Sequence, residues 1–222
     1  MIRQKETMDI KAVVFDFDGV CIDTETARFR SWQQIYASYG FDLPLDEWIK
    51  NIGRATYESD PFPYLEKLAG EPLDREAIHK RHQRAEVEIA NGLPLQPGLV
   101  ERLEEAAELG ISCAIASSSS YRWVGGHLDY RSIIRYFRVI ICREDTERHK
   151  PDPQPYATAV SRLDIAPVNA VAVEDSAPGI ASANAAGLFT VAVPCPMTMT
   201  MDFSAAGRRV TSLKEISWRN FG

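Results

Sequence analysis

Two carboxylates two residues apart, Asp16 and Asp18, close the apolar run 12–17 (AVVFDF), and Gly19 follows at once. A glycine at such a place lets the backbone approach a ligand closely. Two neighbouring carboxylates repel, so a cation or a shared proton must relieve them, and hard oxygen ligands favour Mg²⁺. An isolated Asp-x-Asp-Gly is as readily a strand-ending turn, but other strand ends add to it. Glu174 and Asp175 follow the run 170–173 (AVAV), with Gly179 four residues beyond Asp175. Ser117 and Ser118 end the run CAIA, where hydroxyls and backbone N–H groups can hold phosphate oxygens. Lys150 precedes Pro151, Asp152 and Pro153 at a loop-to-helix junction, where its ammonium would neutralise a bound phosphoryl group. Nucleophile, metal-binding carboxylates, hydroxyl and cation together are what phosphoryl transfer requires.

Such residues need a scaffold that brings distant strand ends to one edge. The runs 12–17, 112–117 (SCAIAS), 138–142 (RVIIC), 170–173 and 190–194 (TVAVP) are rich in Val, Ile and Ala and show no polar alternation. That is the pattern of strands covered on both faces in a parallel sheet. Helices separate them. Pro97 and Gly98 open one with Leu99, Leu103 and Ala106 on one face, and Gly110 closes it. Asp152 and Pro153 read as N-cap and first position of another, with Tyr156, Ala159, Val160 and Leu163 as its buried stripe. Pro178 opens a third, ended by Gly187. The predicted fold is α/β, a doubly wound, mainly parallel, Rossmann-like sheet, which binds ligands outside the carboxyl ends of its strands.

From Thr24 to about Asn91 no strand reads, while Phe29, Trp32, Tyr36 and Tyr39 recur at helical spacing. The expected organisation is an α/β catalytic domain of residues 1–23 and 92–222, interrupted after its first strand by a small helical domain, 24–91.

The 222 residues are 45% hydrophobic and 25% charged, an ordinary globular mix. Lys and Arg number 25 against 31 Asp and Glu, a net charge of −6. That acidity argues against a nucleic-acid binder, which needs a basic face, but not against a small phosphorylated ligand in a locally positive pocket. Apolar runs fall short of a membrane span, and Met1 to Lys11 does not read as a secretory leader. Cys21, Cys113, Cys142 and Cys195 are widely spaced without a CxxC pair, which fits reduced thiols in a cytoplasmic protein.

DFDGVCIDTET, AIASSS, KPDP and VEDSAPGI resemble, in order, spacing and strand context, the four motifs of the haloacid dehalogenase (HAD) superfamily of phosphotransferases, over nearly the whole chain. The nearest branch in appearance holds phosphoglycolate-phosphatase-like enzymes, sugar phosphatases and β-phosphoglucomutase. The resemblance implies an HAD-like fold with the helical insert as a cap. It implies that Asp16 is the nucleophile, giving an aspartyl-phosphate, and that Asp18 is general acid and then base. Mg²⁺ would bind the Asp16 carboxylate, the Asp18 backbone carbonyl and Asp175, with Glu174 a direct ligand or one step removed. Ser117 and Lys150 would hold non-bridging phosphate oxygens, and Gly19 and Ser118 would add backbone N–H donors.

The implied activity is a Mg²⁺-dependent phosphatase acting on a small phosphorylated metabolite, a sugar phosphate or a phosphoglycolate-like compound, as a monomer or weak homodimer. A β-phosphoglucomutase is the alternative. Against it, Arg28 stands where the mutase carries a histidine, and Ser120 and Tyr121 stand where it has a Lys–Asn pair. Arg54, in NIGRAT, matches a cap arginine that contacts substrate phosphate, though a surface salt bridge would also account for it. A non-catalytic phosphometabolite-binding protein is the minor alternative, set against an intact nucleophile, acid and metal carboxylate.

Other residues read as structural. His79, His82, His127 and His149 lack ligand spacing, and Trp32, Trp48 and Trp123 read as packing residues. The mixed charges of 74–88 read as a solvated helix face, with the alternative that their basic centre, Lys80 to Arg84, faces the cleft. The Met-rich segment 197–201 reads as a loop near the core edge.

Overall fold

The computed structural model describes residues 8–49 and 60–221. Strands β1 (Ala12–Phe15), β2 (Ser112–Ala116), β3 (Phe137–Ile141), β4 (Ala170–Glu174), β5 (Phe189–Ala192) and β6 (Arg208–Arg209) make one sheet in the order β3-β2-β1-β4-β5-β6. Every pairing is parallel. The order reverses at β1, which lies between β2 and β4, and a ligand crevice opens at such a switch point. Phe15 is in register with Ile115 on β2 and Val173 on β4. Asp16, Ser117 and Glu174 therefore emerge at one edge.

Alternate residues of β1 enter opposite layers, as a strand's period of two requires. Val13 and Phe15 pack with Leu99 and Leu103 of helix α5 (Leu99–Glu108) and Val124 and Leu128 of α6 (Tyr121–Tyr130). Ala12 and Val14 face Tyr156, Ala159, Val160 and Leu163 of α7 (Gln154–Leu163) and Ala183 of α8 (Ala177–Ala185). Leu99 and Leu103 are fully buried, each contributing roughly 1.5–3 kcal/mol. The sheet is thus covered on both faces, which is why its strands read as continuous apolar runs.

Some boundaries differ from the sequence reading. Helix α7 begins at Gln154, one residue late, with Asp152 Oδ1 accepting from the Gln154 N–H at 2.9 Å. Helix α8 begins at Ala177, capped by Ser176, whose Oγ accepts from the Gly179 N–H at 3.1 Å. Strand β6 was not expected, because its two arginines are exposed and carry no apolar signal. The four cysteines are buried and free.

Between β1 and β2 the described residues form helices α1 (Thr24–Ser38), α2 (Leu45–Ile49), α3 (Phe62–Ala69) and α4 (Arg75–Gly92). Asp23 and Asp74 cap α1 and α4, accepting from the N–H groups of Thr26 and Ala77. Phe29, Trp32, Tyr36, Trp48, Leu65 and Ile78 make a separate apolar cluster. Cys195 and Met197, from the loop after β5, pack into it, so the Met-rich segment is a seat for the helical unit. The two connections to the sheet lie side by side. Ile22 bridges Leu95, the Gln96 N–H donates to the Cys21 carbonyl at 2.9 Å, and Gln96 Nε2 donates to the Gly19 carbonyl at 2.8 Å.

Candidate active site

The site is assembled at the carboxyl edge of β1, β2 and β4. Asp16, directly after β1, is 7% exposed, and its Oδ1 accepts from Lys150 Nζ at 2.6 Å. The same ammonium donates to Glu174 Oε1 at 2.6 Å and lies 5.0 Å from the centre of the Tyr156 ring. Burial opposes a charge on Lys150, but Asp16 and Glu174 outweigh it and hold the ammonium above the usual lysine range. One ammonium does not neutralise this many acids. Burial first, then Glu174 and Asp18, pushes Asp16 upward against the opposing effect of Lys150. Burial, Asp16 and Glu174 do the same to Asp175, well above the carboxylate range.

Carboxylate oxygens of Asp16, Glu174 and Asp175 lie within 4.8 Å of one another, close enough to share a cation. An all-oxygen donor set with unrelieved repulsion fits a hard divalent ion. Glu174 is the most engaged of the three. Oε1 accepts from Lys150 and from the Tyr156 hydroxyl at 2.7 Å, and Oε2 accepts from the Asp175 N–H, the Ser176 N–H and Ser176 Oγ. Its carboxylate is 0% exposed and serves chiefly to fix Lys150 and the turn after β4.

Two glycines are required by this packing. Gly19 has φ +84°, and a Cβ there would lie 2.0 Å from Asp175 Oδ2. At Gly179 a Cβ would lie 1.9 Å from the Glu174 carboxylate. Small residues in the motifs let the acids sit against backbone.

Asp18 has different surroundings. Thr24 Oγ1 and Trp123 Nε1 donate to Oδ1 at 2.7 and 2.8 Å. Ser119 Oγ donates to Oδ2 at 2.6 Å, and Ser117 Oγ is 3.4 Å from the same oxygen. Ser117 is buried and its Oγ accepts from the Ser119 N–H at 3.0 Å, whereas Ser118 is exposed on the cleft wall. Trp123, expected as a packing residue, thus reaches Asp18. Thr24, Ser119 and Tyr156 are further contributors that the sequence reading did not single out. Thr24 and Ser119 lie inside quoted motifs, but Tyr156 and Trp123 sit on helices whose periodicity accounts for them as packing.

Opposite the sheet edge, α1 and α4 close a cleft of about 1350 Å³ with Glu25, Arg28, Lys80, Arg84 and Glu86. Part of the charged segment, with Lys80 and Arg84 of its basic centre, therefore lines the cleft, as the alternative to a wholly solvated face had it. His82 is buried against Trp32, ring centres 4.6 Å apart, and burial lowers its pKa to about 3, helped by Arg28 and His79. Burial, with Asp18 and Glu25, raises Glu86 to about 7 despite Arg28. Arg54 lies outside the described residues. Among the described residues, no helix is long and apolar enough to cross a membrane.

Residues 13–193 match the haloacid dehalogenase-like hydrolase family, and the chain belongs to it. Protein YhcW of Bacillus subtilis is 37% identical over 93% of this chain and 94% of its own. A phosphorylated carbohydrates phosphatase of Thermotoga maritima is 30% identical over 81% and 82%. The β-phosphoglucomutase of Bacillus subtilis is 32% identical over 83% of each chain. Among solved structures, CbbY from Rhodobacter sphaeroides in complex with phosphate superposes with a TM-score of 0.71 at 28% identity, over 93% of this chain and 96% of that one.

Proposed function

We propose that this chain is a Mg²⁺-dependent phosphatase that hydrolyses a small phosphorylated metabolite, of the sugar-phosphate kind, through an aspartyl-phosphate on Asp16. The observation that carries the reading is Asp16 at the switch point, bonded to Lys150 beside Glu174 and Asp175, with Asp18 two residues on and held by its own donors. Residues 24–91 act as a cap whose wall selects the leaving group, and the buried free cysteines suit a reducing compartment such as the cytoplasm.

Asp16 attacks phosphorus. The bond from phosphorus to the leaving oxygen breaks, its electron pair stays on that oxygen, and Asp18 delivers a proton there, releasing an alcohol. Water then gives a proton to Asp18 while its oxygen attacks the aspartyl-phosphate, freeing inorganic phosphate and restoring both acids. Two of the three Lys150 donors are used by Asp16 and Glu174, which leaves one for a non-bridging oxygen, with Ser117 and the Ser118 N–H as further donors; the Gly19 N–H, expected to join them, is instead given to the Ile22 carbonyl at 2.7 Å. Asp16, the Asp18 carbonyl and Asp175 would hold Mg²⁺, with Glu174 fixing their surroundings. The ion, when bound, neutralises phosphoryl charge and holds the group against Asp16.

The test is turnover of p-nitrophenyl phosphate with Mg²⁺ and after EDTA. Metal-dependent release of phosphate is expected, and its absence with fresh Mg²⁺ would overturn the reading. Incubation with β-glucose 1-phosphate separates the hydrolase from the mutase, because free phosphate is expected and accumulation of glucose 6-phosphate would identify the mutase instead.

A further inference from the structure

Trp123 stands in the first turn of α6, where its N–H donates to the capping Ser120 Oγ at 3.3 Å. Its indole N–H reaches across to Asp18 Oδ1 at 2.8 Å. The ring is gripped from behind by buried His127, edge to face with centres 4.3 Å apart. His127 in turn stacks on Phe17, the residue between the two aspartates, at 6.1 Å. The indole is therefore seated on the same short segment whose carboxylate it contacts.

Among the described residues, the other groups hydrogen-bonded to the Asp18 carboxylate are the hydroxyls of Thr24, Ser117 and Ser119. A hydroxyl can turn and either donate or accept, but an indole N–H only donates. We propose that Trp123 is the positioning residue for Asp18. It fixes Oδ1 as an acceptor throughout the cycle and so leaves Oδ2, beside Ser119, as the oxygen that passes a proton to the leaving group and takes one back from water. Ser119 can follow that exchange by reversing its hydroxyl. The inference rests on Asp18 acting as acid and base.

The experiment is kcat/KM over a series of aryl phosphates, from 2,4-dinitrophenyl through p-nitrophenyl to unsubstituted phenyl phosphate. A good leaving group needs no acid and a poor one does, so misplacing the acid steepens the dependence on leaving group. A side chain that only packs affects all members equally. Trp123→Phe is expected to lose roughly 10- to 100-fold on phenyl phosphate, the equivalent of a hydrogen bond to a charged group, and little on 2,4-dinitrophenyl phosphate. Trp123→benzothienylalanine, which keeps the shape and lacks only the N–H, should give the same split. It carries the test if the Phe variant folds poorly. A uniform loss across the series, or no loss with the isostere, overturns the role of Trp123. Asp18→Asn in parallel must show the steepest dependence. A flat series there overturns the assignment of Asp18 itself, a separate failure.

Discussion

The sheet edge and the helical wall face each other across one cleft, yet they hold their charges in opposite ways. At the edge, Lys150 is 7% exposed, Asp16 10% and Glu174 0% by side chain, and each is bonded to another charged group or to backbone. On the wall, Arg28, Lys80 and Arg84 are exposed, on helices whose buried faces point away into the apolar cluster. The edge derives its geometry from strand register, which is stiff. The wall derives its charges from long side chains on helix surfaces, which adapt. On the proposed function, the contrast teaches that phosphorus chemistry sits where strand register fixes the geometry, and choice of leaving group on helix surfaces whose side chains can vary.

Substitutions at the edge should therefore reduce turnover, and those on the wall should change selectivity. The largest effect is expected for Asp16→Asn, which removes the nucleophile and should depress kcat on p-nitrophenyl phosphate by more than the roughly 10⁴-fold upper range of acid–base help. Substantial residual turnover would remove the edge's claim to the chemistry. Lys150→Met should come next, and it should also destabilise the fold by about 3–5 kcal/mol in a denaturant melt, because two buried carboxylates lose their counter-charge. Added Mg²⁺ should restore part of that stability. Gly19→Ala, which pushes a methyl group into Asp175, should cost about 10²-fold in kcat/KM through displaced geometry.

On the wall, Arg28→Ala should leave p-nitrophenyl phosphate turnover within about 10-fold while reordering a panel of sugar, polyol and glycolate phosphates by KM. If kcat fell as far as in Lys150→Met, the division between edge and wall would fail. The smallest effect concerns Glu86. Its folded pKa, about 7, lies above that of an exposed glutamate, so the folded state binds this proton more tightly than the unfolded chain. Its contribution is present below the unfolded value of about 4.3 and is lost as pH rises through about 7. Glu86→Gln should flatten that part of the stability profile in thermal melts.

The same division governs what could be read in advance. Asp16, Ser117, Glu174 and Asp175 were visible because each ends an apolar run, and a run that is buried on both faces leaves few places for a polar residue except its end. Lys150 was visible from its place before Pro151 and Pro153. Trp123 was hidden because an indole on an apolar helical face satisfies the period of 3.6 whether or not its N–H is used. The 74–88 segment left two readings open for the converse reason. A charged face is equally consistent with bulk water and with a polar cleft, and only the packing of α4 on α1 turns it toward the sheet edge. Strand β6 leaves no trace in the sequence, because two residues paired with β5 form no pattern.

The sequence by itself determined the parallel sheet, the helical character of the segment after the first strand and the identity of the acids at the strand ends. All of these follow from local periodicity and from residue chemistry at fixed spacing. The tertiary structure alone decided which atoms meet. Lys150 reaches Asp16 across 134 positions and Trp123 reaches Asp18 across 105. Such contacts depend on strand order and helix rotation, quantities set by how the whole core packs and by no local run of residues.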